Sequence, residues 1–305
     1  MWNLVAMAGL AAAAPKVDRV PQDFSTIQQA IDRGTAPVIE VGPGEWAGAV
    51  VRRPVDLRGD QAVIRSGPRY SGLGVGFSLL GKASDSEISG FTFACDGAKL
   101  DVGVYSSASR LGRAASYITV SDNTFRGCVQ AITNTGRPTA SCRPKNVDGG
   151  QYWLIKDNRI EGITSVSDDG QMVGGLGVFL FNTKYSEVLN NQFDGNIQDS
   201  PHYTTGGVVV AGCWDCTIAG NDFSMEGGRF TYAAISNLGF YQSGAAASRR
   251  LFIADNDATN DSSPMLDVNY RSYDSFGTQV FDNRGVAVID HSQCGDGEID
   301  TFEER

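Results

Sequence analysis

Histidine is scarce, basic clusters are missing, and helix-favouring runs of Ala, Glu, Lys and Leu are few. His202 is one of only two histidines in 305 residues, and a lone loop histidine is more often a surface residue than a catalyst. Lys and Arg number 25 against 35 Asp and Glu, giving a formal net charge of −10. With no basic stripe, nucleic acid is excluded as a partner. A strongly anionic polysaccharide would also be repelled, unless a local basic patch or a bridging cation intervened. The apolar run at the start is too short to span a bilayer, and no other segment is apolar enough, so no membrane span is expected. Glycine, by contrast, is plentiful at 37, and the balance leans towards strands and turns.

The first residues read MWNLVAMAGLAAAAPKVDR. An apolar run ending in small residues resembles a secretory signal over 1–14. No Lys or Arg precedes it, however, and Pro15 follows it, so a frayed or membrane-touching N-terminus is the other reading. An exported, soluble monomer, secreted or at the cell surface, is expected. The six cysteines are Cys95, Cys128, Cys142, Cys213, Cys216 and Cys294, and an even count in an exported chain points to disulfides. The segment CWDC (213–216) reads as a redox pair, half a zinc site or a local disulfide. The last is preferred, because no second Cys-x-x-Cys and no thioredoxin-like pattern accompany it.

An Asn recurs three residues after an apolar marker. The markers are Val120, Ile155, Val188, Ile218, Ile253 and Val280; the asparagines stand at 123, 158, 191, 221, 256 and 283. Leu57 and Ile88 extend the same register upstream. The period is roughly thirty residues. Each unit carries three short strands, such as GVFLFN (177–182) before the marker and QFDG after the Asn, with one long variable loop. Cys95 and Cys128 follow their markers by seven and eight residues, so they are neighbours, either bonded or packed. A unit this small cannot bury its own apolar face, but stacked units can. Each strand then pairs in parallel with its counterpart about 4.8 Å away. The Asn falls at a bend, where its amide bonds the next Asn and nearby backbone. In VPQDFSTIQQAIDRG, Asp23 is expected as N-cap, Phe24, Ile27, Ala30 and Ile31 form one apolar face, and Gly34 stops the helix. Such a helix would cap the open end of the core.

The segments VPQDFSTIQQAID, VIEVGPGEW and VDLRGD, with the repeats SDNTF, KDNRI, LNNQF and AGNDF, resemble the pectin-lyase-like superfamily of right-handed parallel β-helices. The resemblance covers about residues 17–285. It implies an all-β solenoid of about eight coils, with the amphipathic capping helix, over 15–290, followed by an acidic tail at 291–305. It also implies polysaccharide as the partner, bound or degraded by hydrolysis or elimination. The superfamily hosts many chemistries and some non-enzymes, so a non-catalytic adhesive or structural protein is the alternative.

By analogy with that superfamily, a site is expected on the outer face of the first strand of each coil and in the loops beside it. Outward residues there include Tyr105, Thr133, Phe179, Phe181, Ser236, Asp267 and Asn269. Acids gather in the loops leading into these strands. Asp168, Asp169, Asp199 and His202 form the expected acid–base set; solvated turn residues are the plainer reading. Tyr105, Phe179 and Tyr203 are candidates for stacking on sugar rings, with Lys184 and Arg229 as polar contacts. Lys184 and Arg271 could serve a lyase as base or carboxylate clamp; ordinary surface charge is the plainer reading. No cofactor is expected. Calcium is conceivable only at the C-terminus, where Asp296, Gly297, Asp300 and Glu303 match half of an EF-hand loop, but Ser292 and Cys294 occupy slots where Asp is wanted.

Overall fold

The computed structural model describes residues 15–97, 99–167, 170–228, 232–238, 244–259, 270–272, 275–284, 288–290 and 299–302. The expected signal therefore lies outside the described residues. So do Asp168, Asp169, Arg229, Asp267, Asn269 and Cys294.

The thirty-residue repeat folds as one turn of a solenoid. Three sheets run along it, here called A, B and C in the order the chain meets them in each turn. Among the described residues, sheet A has eleven strands and sheet B seven; sheet C has ten, counting a short antiparallel strand, Arg69–Tyr70, at its side. All other pairings within these three sheets are parallel. The marker residues pair as expected, Leu57 with Ile88, then Val120, Ile155, Val188, Ile218, Ile253 and Val280. All are buried. The helix-like repeat thus places one branched aliphatic side chain per turn on a continuous core column.

A second column is aromatic. Phe93 stacks on Phe125 at 4.7 Å and Phe193 on Phe223 at 4.6 Å between ring centroids. Sheet C makes room for these rings with glycine. A Cβ on Gly103 would come within 2.4 Å of the Phe125 ring, and one on Gly207 within 2.6 Å of the Phe223 ring. Ala131 holds the equivalent place in register, and there the next turn carries Ile160 in place of Phe. The smaller core side chain tolerates the extra methyl.

The corner between sheets A and B is built from two residues. The first adopts a left-handed conformation: Asp122, Asp157, Asn190, Gly220, Asp255 and Asp282 have φ between 53° and 66°. Asp, Asn and Gly accept that region most readily. The second is the recurring Asn. Asn191 donates from its amide to the carbonyls of Ile155 and Leu189 and to Oδ1 of Asn221 at 3.0, 3.1 and 3.0 Å. Its own Oδ1 accepts from the backbone and side chain of Asn158 at 3.0 and 2.9 Å. The chain of amides runs unbroken from Asn123 to Asn283.

The corner between sheets C and A has its own left-handed position. Tyr117, Tyr152 and Tyr185 occupy it with φ of 56°, 56° and 52°. Their exposed rings stack at 4.7 and 4.9 Å, and the row continues as an ion pair between Asp215 and Arg250. The hydrogen bond to Asp215 holds the Arg250 guanidinium above its ordinary pKa.

At the N-terminal end, helix α1 (Ile27–Arg33) buries Ile27, Ala30 and Ile31. The N-cap is Thr26, whose hydroxyl accepts from the Gln29 N–H at 3.1 Å, not the expected Asp23. Asp23 instead accepts the Arg19 N–H at 2.8 Å and closes the preceding turn. Gln28 meets the first strand of sheet C, Ala49–Val51. Its amide accepts the Val50 N–H at 2.8 Å and donates to the Val50 carbonyl at 3.2 Å. The edge strand is thereby covered by a side chain that imitates a neighbouring strand. Gln28→Ala is expected to lower stability by about 1 kcal/mol and to raise self-association on size-exclusion chromatography.

Two disulfides join Cys95 to Cys128 and Cys213 to Cys216, and Cys142 is also disulfide-bonded. The CWDC segment is thus a local staple, with both cysteines buried. Ile299–Phe302, within the expected tail, pairs with Thr278–Phe281 as the last strand of sheet A.

One loop departs from the repeat. Residues 136–150 leave sheet C and run as a strap across later turns. Gly136 donates to the Phe181 carbonyl at 2.6 Å, and Thr139 to the Gly244 carbonyl at 2.8 Å. Ala247 donates back to Cys142 at 2.8 Å, and Val147 packs with Trp214 and Ala246. The strap returns at Gly150, whose backbone is held at both N–H and C=O by the buried Asn134 amide.

Candidate functional site

Sheet C strands alternate cleanly. Val104, Ile132, Val178, Val208 and Ile235 pair in register and face the core. Tyr105, Thr133, Phe179, Val209 and Ser236 form the neighbouring register on the outer face. Towards the C-terminal side this outer face is covered: Phe181 packs with Ala211 and Ala245, and Phe179 and Leu238 lean against them. Towards the N-terminal side it is open, and a groove of about 370 Å³ lies on it.

Three elements shape the groove. Its floor is Tyr105, Gln130, Thr133 and Phe179 from sheet C. One wall is the short antiparallel pair that carries Tyr70, whose ring stacks on Tyr105 at 5.9 Å with 23° between planes. The other side is the start of the strap, at Gly136 and Pro138, together with Arg110 from the four-residue helix α2 (Ala108–Leu111). Arg110 is steadied by a hydrogen bond from its guanidinium to the Ser71 hydroxyl. Thr133 donates to the Gln130 Oε1 and Thr135 to the Ser107 hydroxyl, each at 2.8 Å. Such pairs fix the rotamers of the polar groups before any ligand arrives. Aromatic faces beside oriented hydroxyls, an amide and one guanidinium suit a ligand that is both ring-shaped and rich in hydroxyls. Among the described lining residues no carboxylate or imidazole occurs.

The structure brings together four of the residues expected on the outer face, Tyr105, Thr133, Phe179 and Phe181, and adds Tyr70, Arg110 and Gln130. Lys184 is elsewhere. It sits at the corner after sheet C, bonded to the Asn146 side chain and 5.2 Å from the centroid of Trp214. Trp214 also carries Arg249 at 4.1 Å. Both cations therefore clamp a structural indole. Asp199, His202 and Tyr203 lie in the loop between sheets B and C, and none of them lines the groove. His202 is exposed, and its backbone N–H bonds the Ser200 hydroxyl at 3.2 Å. Ser200 and Tyr203 bridge across the loop. The segment before it is anchored alongside, with the Ser165 N–H donating to the Gln198 carbonyl at 2.7 Å. Asp168, Asp169 and Arg229 fall outside the described residues, and Arg271 is described only in its backbone.

No family model matches the chain, and no curated protein matches its sequence. Among solved structures it is similar to PfbA, a surface adhesin of Streptococcus pneumoniae, with a TM-score of 0.53 and 13% identity over 92% of this chain and 78% of that one. The chain is a right-handed parallel β-helix. An alginate lyase from Paenibacillus aligns at TM-score 0.36 and 11% identity, covering 91% of this β-helix and 96% of the lyase. A tailspike capsular polysaccharide depolymerase from an Acinetobacter baumannii bacteriophage aligns at 0.39 and 9%, covering 95% and 63%. No helix among the described residues of this chain is long and apolar enough to cross a membrane.

Proposed function

We propose that this β-helix is an extracellular glycan-binding protein that holds a polysaccharide in the sheet C groove, as a monomer. The observation that carries the reading is the stacked Tyr70–Tyr105 pair, set beside pre-oriented Gln130 and Thr133 in one groove of about 370 Å³. Sugar rings present apolar faces to aromatic rings and hydroxyls to amides, and the groove offers both. Disulfides, which persist in oxidising compartments, support an exported protein.

Binding on a glycan array, run alongside assays for new reducing ends and for unsaturated products, tests the reading. Tyr105→Ala is expected to weaken the array ligand about tenfold, near 1.4 kcal/mol, with the melting temperature little changed. Binding without product supports a non-catalytic adhesive role. Product formation would shift the reading to degradation, with Asp168, Asp169, Asp199 and His202 as the groups to replace. Absence of any glycan ligand would sink it.

A further inference from the structure

Sheet B has an outer face too, and it is not flat. Its strands Thr124–Cys128, Arg159–Thr164 and Gln192–Gln198 each contain a glycine in the left-handed region. These are Gly127, Gly162 and Gly195, with φ of 58°, 82° and 85°. The buried residues on either side of each glycine face the core: Phe125 and Cys128, Ile160 and Ile163, Phe193 and Ile197. The glycines therefore mark a line along which the sheet bends, with only backbone on its outer side. A cavity of about 730 Å³ lies over that line, against about 370 Å³ for the sheet C groove. The two share no lining residue.

The ends of the line carry polar groups with unused capacity. A Cβ on Gly127 would lie 3.1 Å from Cβ of Asp96, and one on Gly162 would lie 3.2 Å from the Asn196 carbonyl. Asp96 and Asn196 thus flank the glycine line three turns apart, about 14 Å at the usual strand spacing. Asp96 is exposed, and its carboxylate makes no hydrogen bond or ion pair among the described residues. The Asn196 amide is likewise unengaged. Gln198 accepts from Thr164 at 2.9 Å through Oε1, which leaves its amide nitrogen to donate.

The remaining charges are already satisfied. Glu161 is paired with Arg126 at 2.8 Å and with Arg159 at 3.1 Å. Asp101 is buried and accepts the Gly74 N–H at 2.7 Å. Of the charged lining residues only the Asp96 carboxylate is without a partner among the described residues, so the uncompensated charge is negative and disfavours an anion.

We infer that this bend is a second binding site, separate from the sheet C groove, for a short non-acidic oligosaccharide. Asp96 accepts hydrogen bonds from hydroxyl or ammonium groups at one end, and the amides of Asn196 and Gln198 donate at the other. The glycine floor lets a ring approach the backbone. The length matches a few sugar residues laid along the solenoid axis.

The test uses the Tyr105→Ala protein, so that failure of the sheet C reading and failure of this one are told apart. Calorimetric titration is run with neutral hexasaccharides of glucose, mannose, xylose and galactose, with chitosan hexamer, and with hexagalacturonate. At least one neutral or amino-bearing hexamer is expected to bind, and hexagalacturonate is expected to bind at least tenfold more weakly. Asp96→Ala with Asn196→Ala is expected to reduce that binding at least tenfold. Asn196→Trp, which blocks the Asn196 end of the cavity, is expected to abolish it; circular dichroism melting confirms that each variant is folded. Titrations in which no neutral or amino hexamer binds would overturn the inference. So would binding that survives both sets of substitutions, or a preference for the acidic hexamer.

Discussion

Alanine at position 191 is expected to lower the unfolding free energy by about 3–5 kcal/mol, while glycan affinity of the folded protein stays within about twofold. The size follows from what the substitution strands. Asn191 is buried and makes five hydrogen bonds through its side chain. Removing it leaves the Asn158 N–H, the Asn158 amide and the carbonyls of Ile155 and Leu189 short of a partner. Each buried orphan costs about 1–3 kcal/mol, and relaxation or entering water recovers part of the total. Urea unfolding gives the first quantity and calorimetric titration the second. A loss of affinity with unchanged stability would show that the ladder belongs to the binding site and not to the scaffold.

Gly207→Ala is expected to cost about 2–3 kcal/mol, and most of that loss is expected to vanish when Phe223 is already Ile. The added methyl meets the Phe223 ring at 2.6 Å and the Ala234 carbonyl at 2.8 Å. The protein itself supplies the control, because Ala131 faces Ile160 at the equivalent place. In the Phe223→Ile background, Gly207→Ala should cost under about 1 kcal/mol, a coupling readable from a double-mutant cycle. Additive losses would mean that the backbone carbonyl, not the ring, sets the requirement for glycine.

The register was legible because a solenoid repeats its constraints. One aliphatic residue, one left-handed corner and one buried amide return in each turn from Val120 to Ile253, so a weak signal at Val188 is reinforced at Ile218 and Ile253. The left-handed residue is legible in the same way, as the Asp, Asn or Gly before each ladder Asn. The N-cap was misplaced because Asp23 and Thr26 have equal claims on local propensity. The turn after Val17–Val20 decides between them by drawing the Asp23 carboxylate to the Arg19 N–H. The groove was half legible. Tyr105 and Phe179 stand on strands, where alternation reveals the outward face. Tyr70 and Arg110 stand on a short antiparallel strand and a short helix, outside the alternation of the sheet C strands. Chemical type alone says nothing of direction for Lys184, and the corner after sheet C turns it onto Trp214.

The strap changes how such a molecule comes apart. In a plain stack each turn touches only its neighbours, so unfolding can begin at either end and advance one step at a time. Here the hydrogen bond from Thr139 to Gly244 joins residues 105 apart in sequence, and Asn182 is tied to the Arg137 carbonyl across 45 residues. The turns beneath are laced into one block. Amide exchange across them should therefore proceed at a shared rate, as a single cooperative unit, with the turns nearer the N-terminus opening independently. The groove that holds Tyr105 lies at the boundary between these two regimes, where the rigid block provides one wall and the looser stack the other.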